Sequence, residues 1–238
     1  MNPRTVHLAV TLTLVSIISA CSASSRTTAA QTSTTVSSAS TPITIRAEVW
    51  ADNWFALYNG NTLVGEDSVP ITTERSFNSE TFTFQAMYPL HLNIVAKDYK
   101  ANDTGLEYIG TARQQMGDGG IVAQFTNVAT GKVIAVTDGN ARVLVVHKAP
   151  LDRACAQEAS PVAGKAPCTF LSVSEPAGWK TVAFDDSAWS RASVFTAAQV
   201  GPKDGYLDIG WNAAAQFIWG SDLFTDNTVL IRMTVATP

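Results

Sequence analysis

From residue 43 onward apolar side chains recur with a period of two, and this rhythm limits the fold more than any other feature of the chain. Ile43, Ile45, Ala47 and Val49 alternate with Thr44, Arg46, Glu48 and Trp50, as expected of a strand with one face in a core. Residues 54–58 and 62–65 flank Asn59-Gly60, a pair suited to the left-handed positions of a tight hairpin turn. Residues 77–84 and 90–97 predict two more strands. Residues 121–125, 132–137 and 142–147 follow, separated by Thr130-Gly131 and Asp138-Gly139. Residues 181–184, 216–219 and 228–235 complete the set. Short strands at this spacing, with no convincing amphipathic helix and no internal repeat, predict an all-β sandwich.

Composition narrows the class. Of 238 residues 46% are hydrophobic and only 15% charged, with a formal net charge of −4. A net acidic chain lacks the basic face that electrostatic nucleic-acid binding needs. Abundant aromatic and branched residues exclude disorder for most of the length. Three His and three Cys are too few for a rich metal cluster.

The first twenty residues read as an export signal. Arg4 and the amino terminus supply positive charge, and residues 8–18 form an apolar run too short to span a bilayer comfortably. The run ends in Ile18-Ser19-Ala20-Cys21, which resembles a bacterial lipobox, with Ile18 where the pattern prefers Leu. The resemblance implies a diacylated, lipid-anchored Cys21, and more than one acyl chain gives stable attachment. Ser22 follows in place of the Asp that retains lipoproteins at the inner membrane of diderm bacteria. The expected location is therefore the cell envelope, at the outer membrane in a diderm host, with plain secretion as the alternative. Residues 22–41 are mostly Ser, Thr and Ala, with Arg26 the only charge. Such a stretch buries too little apolar area to order itself, so 21–41 is expected to be a flexible linker and 42–238 a single domain. With Cys21 lipidated, Cys155 and Cys168 are an even remainder in an exported protein and read as one disulfide.

The C-terminal third carries a more specific pattern. Gly178-Trp179 leads to Phe184-Asp185-Asp186-Ser187-Ala188-Trp189, and Gln216-Phe217-Ile218-Trp219 follows after a variable loop. Upstream, Ala51-Asp52-Asn53-Trp54-Phe55-Ala56-Leu57-Tyr58-Asn59-Gly60 precedes Val64-Gly65. Together these segments resemble the galactose-binding-domain-like jelly rolls beside the catalytic barrel of bacterial α-L-rhamnosidases. The resemblance touches both ends of residues 43–236, while the middle matches only in strand rhythm. It implies a jelly-roll sandwich in which Asp185 or Asp186 caps a turn and Trp189 plugs the core. It also implies a module that binds sugar or braces a neighbour, without turnover.

Two long stretches interrupt the strands, residues 98–120 and 192–215, and long loops in compact domains carry function disproportionately. Sugar recognition needs an aromatic face with a few polar groups around it. Trp179, Trp189 and Trp219 belong to the core in the pattern above. Trp50, on the polar phase of its strand, and Trp211, in the second loop, are the platform candidates. Tyr108, Gln114, Gln115 and Asp118 supply polar contacts from the first. Asp98, Asn102, Asp103 and Glu107 place oxygen donors in one loop, a candidate structural calcium site without EF-hand spacing, beside the simpler reading of solvated turn carboxylates. No spacing singles out a catalytic acid pair, no Gly-x-Ser-x-Gly occurs, and Gly117-Asp118-Gly119-Gly120 lacks the Lys of a phosphate loop. The expected protein is a non-catalytic, glycan-binding envelope lipoprotein. The alternative is an interaction or structural module of the envelope.

Overall fold

The structure, a computed structural model, describes residues 41–238. The signal peptide, Cys21 and nearly all of the linker lie outside the described residues. Fifteen strands follow in chain order. The first five are β1 (Ile43–Asp52), β2 (Trp54–Asn59), β3 (Thr62–Glu66), β4 (Phe77–Ala86) and β5 (Leu90–Lys97). A two-residue ladder, β6 (Leu106–Glu107) with β7 (Gln115–Met116), interrupts the long loop before β8 (Gly120–Asn127), β9 (Lys132–Val136) and β10 (Arg142–Lys148). Short pieces β11 (Leu171–Ser172), β12 (Ser190–Arg191), β13 (Ser193–Phe195) and β14 (Phe217–Trp219) lead to β15 (Asp226–Val235).

All pairings are antiparallel, and apart from the β6–β7 ladder they make two large sheets. One runs β13-β14-β8-β1-β4, with β9 also on β8; the other runs β11-β10-β15-β5-β2-β3, with β12 also on β10. β1 is held along its length, from Ile43 opposite Ala86 to Asp52 opposite Phe77, and by β8 on its other side. The period-two residues of both sheets meet in one core. Ile45, Val49 and Phe125 of the first sheet pack in one cluster with Phe55, Leu92, Ile94, Val229 and Ile231 of the second. This is the sandwich arrangement that the alternation predicts.

The outer face of the second sheet is covered as well. Val95, Val146 and Leu230 point away from the main core and pack against Trp179 and Trp189. The segment is anchored by Arg232, only 6% exposed: its Nε donates to Asp186 Oδ2 at 2.8 Å, and its Nη1 and Nη2 donate to the carbonyls of Trp179 and Thr181. Asp185 Oδ1 accepts the Ser187 N–H, the turn cap expected of this motif. Two expectations are corrected here. Residues 181–184 form turns rather than a strand: the Thr181 carbonyl accepts from Arg232, and the Phe184 N–H closes a turn onto the same carbonyl. Trp189 plugs the outer surface of a sheet and not the space between sheets, which Trp219 occupies instead.

Cys155 and Cys168 form the expected disulfide, with Cα atoms 4.8 Å apart. They pack with Leu106, and with Ile109 and Met116, so the disulfide loop forms the underside of the β6–β7 ladder. Among the described residues no helix is long and apolar enough to cross a membrane.

Candidate functional site

The loop between β5 and β8 folds back because its apolar and polar residues are sorted between two surroundings. Leu106 is buried on the disulfide, while its neighbour Glu107 faces the other way and accepts Gln115 Nε2 at 2.9 Å across the ladder. Gln114 holds the loop to the disulfide segment: its Nε2 donates to the carbonyls of Ala156 and Glu158, and its Oε1 accepts the Gly110 N–H. Farther on, a Cβ at Gly117 would lie 1.7 Å from Asp98 Oδ2, so only glycine lets the chain close over that carboxylate. Gly119 likewise lies flat on the Trp219 ring.

This folding gathers four carboxylates. Single oxygens of Asp98, Glu107 and Asp118 lie within 4.8 Å of one another. Asp52, at the end of β1 and opposite Gly120, joins them electrostatically. Asp98 and Asp52 are each only 2% exposed, and Oδ1 of each has no hydrogen-bond partner among the described residues. Asp98 Oδ2 receives only a 3.5 Å contact from Asn227 Nδ2. Burial pushes the Asp98 carboxyl well up, and the charges of Asp52, Glu107 and Asp118 push it further. Asp52 is raised in the same way, by burial and then by Asp118 and Glu107, with Lys203 opposing. Burial raises Glu107 to about 7 and also raises Asp118.

Above the carboxylates opens a cleft of about 290 Å³ that contains Tyr108, Glu107, Gln115 and Asp118, with Glu74, Arg75, Phe77, Arg113 and Lys203. Tyr108 sits at φ 50°, a left-handed backbone conformation that a bulky residue adopts only when its surroundings hold it there. Its N–H donates to Glu74 Oε1 at 2.7 Å, and the Arg113 guanidinium lies 4.3 Å from its ring centroid. Lys203 Nζ lies 4.1 Å over the Phe77 ring, and the Arg75 guanidinium 5.5 Å from the same ring. The cleft is thus charged, with aromatic walls and a deep acidic floor.

The predicted site residues divide on this geometry. Tyr108, Gln115, Asp118, Glu107 and Asp98 come together. Gln114 is outside the group, its amide engaged with backbone. Trp50 is corrected: it is fully buried, because the 201–212 loop covers the outer face of the first sheet. Its Nε1 donates to the Asp204 carbonyl, and its ring meets Tyr206 and Phe217 edge-on. Trp211 is half-buried, stacked on Tyr206 and bonded to its carbonyl, and it does not line the cleft. Asn102 and Asp103 are separate from the carboxylate group. Asn102 Oδ1 accepts the Thr104 N–H, and Asp103 is paired with Lys100 and His147, at 2.6 and 3.1 Å. The Lys100 hydrogen bond holds the Asp103 carboxyl below its ordinary range.

Asp52, Glu74, Arg75, Arg113 and Lys203 were not singled out by sequence. Apart from the adjacent Glu74 and Arg75 they come from separate strands and loops, and no local spacing marks their convergence. A larger groove of about 590 Å³ between β9 and β15 is less suited to a ligand. Its three arginines, Arg142, Arg191 and Arg232, already donate to the carbonyls of Trp189, Asn140 and Trp179. What fold and site define is a two-sheet, all-β protein with a charged cleft over buried carboxylates. No family model matches the chain, and no curated protein or solved structure is significantly similar to it.

Proposed function

We propose that the chain is a non-catalytic carbohydrate-binding module, a galactose-binding-like jelly roll carried by a cell-envelope lipoprotein, and that the cleft beside Tyr108 receives the sugar. The observation that carries this reading is the rim itself. An aromatic ring in a constrained backbone conformation stands beside an amide, Gln115, and a carboxylate, Asp118, around a concave space. Sugars present both C–H faces and hydroxyl groups, and such a combination answers both. The jelly-roll assignment draws on the motifs at 51–65 and 178–219 and on the two facing antiparallel sheets. The non-catalytic reading draws on the packing of the acids. Glycosidase carboxyls flank the scissile bond from two sides. Here three acids crowd together at the floor of the cleft, with Asp98 sealed beneath.

The partner is a cell-surface or environmental glycan. Membrane attachment runs through Cys21 alone, with the outer membrane as the location in a diderm host, and nucleic acid is no partner. A glycan array probed with the full chain and with Tyr108→Ala tests the reading. The expected result is binding to at least one glycan class, weakened about tenfold or more in the variant, equivalent to about 1.4 kcal/mol. Absence of binding on a broad array overturns it in favour of an envelope interaction module. Release of reducing ends from a polysaccharide overturns the non-catalytic reading.

A further inference from the structure

Below the cleft, four carboxylates meet, and Lys203, the cation that partly offsets Asp52, Glu107 and Asp118, bonds to none of them. Among the described residues no Lys, Arg or His forms an ion pair with Asp52, Asp98, Glu107 or Asp118. Elsewhere the protein neutralises a buried acid. Asp226, fully buried at the start of β15, has Lys148 Nζ 2.9 Å from Oδ1, while Oδ2 accepts the Asp222 N–H. Asp98, equally deep, has an Oδ1 with no partner at all. Burying an ionised carboxylate without pairing costs several kcal/mol, a cost that either bound protons or a bound cation relieves.

We propose that Asp52, Asp98, Glu107 and Asp118 form a binding site for a hard divalent cation of the calcium class. Oxygens bound at 2.3–2.6 Å to one Ca²⁺ are at most about 5 Å apart, and three of the donors meet that limit as they stand. The unpartnered Oδ1 of Asp98 supplies the buried side of the shell, and Asp52, whose Oδ1 is also unpartnered, adds negative charge from the end of β1. Glu107 and Asp118 also line the cleft, which gives the ion a route from solvent and gives water the remaining coordination positions. The set contains only oxygen donors, which favours a hard ion over zinc or copper. Gly117 is part of the site, because its missing side chain lets the chain bearing Asp118 lie on Asp98. Compared with the sequence expectation, Asp98 and Glu107 remain, and Asp52 and Asp118 take the places of Asn102 and Asp103. The site does not depend on the glycan reading, since the cation is tested in the absence of sugar.

Calorimetric titration of the chelator-treated full chain with CaCl2, beside thermal unfolding with and without it, tests the proposal. One Ca²⁺ per chain and a raised unfolding midpoint are expected. Affinity is expected to fall about tenfold or more in Asp118→Asn and Glu107→Gln and to hold in Asp103→Asn. Terbium provides a measurement that does not depend on folded variants. Because the Trp219 ring abuts Gly119, excitation of Trp is expected to sensitise Tb³⁺ emission that Ca²⁺ quenches by competition. No saturable Ca²⁺ binding, an equal loss in Asp103→Asn, or MgCl2 binding as tightly as CaCl2 overturns the assignment.

Discussion

The two long loops, residues 98–120 and 192–215, look alike as sequence. Each is rich in glycine, and each carries aromatic, acidic and basic side chains. In the fold they do opposite things. The second loop turns its aromatics inward. Tyr206 stacks on Trp211, leans at an angle against Phe217 and meets the edge of Trp50, so the loop becomes a cover for the outer face of the first sheet. The first loop turns its apolar residues toward a disulfide and its acids toward each other. One loop contributes burial and the other collects charge. Aromatic content alone therefore does not mark a binding loop; what marks it is a polar group left without a partner.

This contrast can be broken by substitution, and the largest effect should come from the covering loop. Trp50→Ala removes a fully buried indole beneath it and should cost about 3–5 kcal/mol in chemical denaturation. A loss below about 1 kcal/mol would show that the loop does not seal this face. Next is the brace under the charged loop. Replacing Cys155 and Cys168 with Ser should cost roughly 3 kcal/mol on the chain-entropy argument and speed amide exchange in residues 106–116 more than in 201–212. Uniform exchange in the two loops would separate the disulfide from the cleft.

A pH series sharpens the comparison further. Glu107 titrates near 7 in the folded protein against 4.5 for the ordinary side chain, so the folded state binds the proton more tightly than the unfolded chain. With a chelator present, stability should therefore be fullest below about pH 4.5 and decline as pH rises through 7, by about 3 kcal/mol from this residue. Glu107→Gln should flatten that decline, and an unchanged slope in the variant would place the titration elsewhere. The smallest stability effect belongs to Tyr108→Gly. Glycine accepts φ 50° without strain, which offsets the lost contact with Arg113 to within about 1 kcal/mol. A folded Tyr108→Gly that still binds its glycan at full strength would remove Tyr108 from the site.

How much of this was legible in the sequence follows from the range of the forces involved. Strand existence is written locally in period-two alternation, and β1, β2, β3, β5 and β15 lie where that alternation places them. The failures occur where a third layer intervenes. Residues 181–184 alternate like a strand, yet the Thr181 carbonyl is bound by Arg232, 51 positions away. Trp50 stands on the phase that should face water, and only the later loop changes its surroundings. The candidate site was half legible for the same reason. Glu107 and Asp118 share a loop with Asp98, so their association is local. Asp52 and Lys203 arrive from distant parts of the chain through the pairing of β1 with β8 and the path of the second loop. Sequence spacing carries no trace of that meeting.

The position of β15 has a consequence for how the molecule is assembled. Among the described residues it is the last strand in chain order, yet it lies inside its sheet, between β5 and β10. Until residues 226–235 have been synthesised, β5 and β10 each present an open hydrogen-bonding edge, and their apolar faces lack the neighbour that completes the core. Nascent chains shorter than this therefore hold two adhesive strands apart with nothing between them. Closure joins β15 to β5 across more than a hundred residues, from Thr228 opposite Lys97 to Val235 opposite Leu90, and long-range pairing of this kind slows folding and leaves intermediates prone to aggregate.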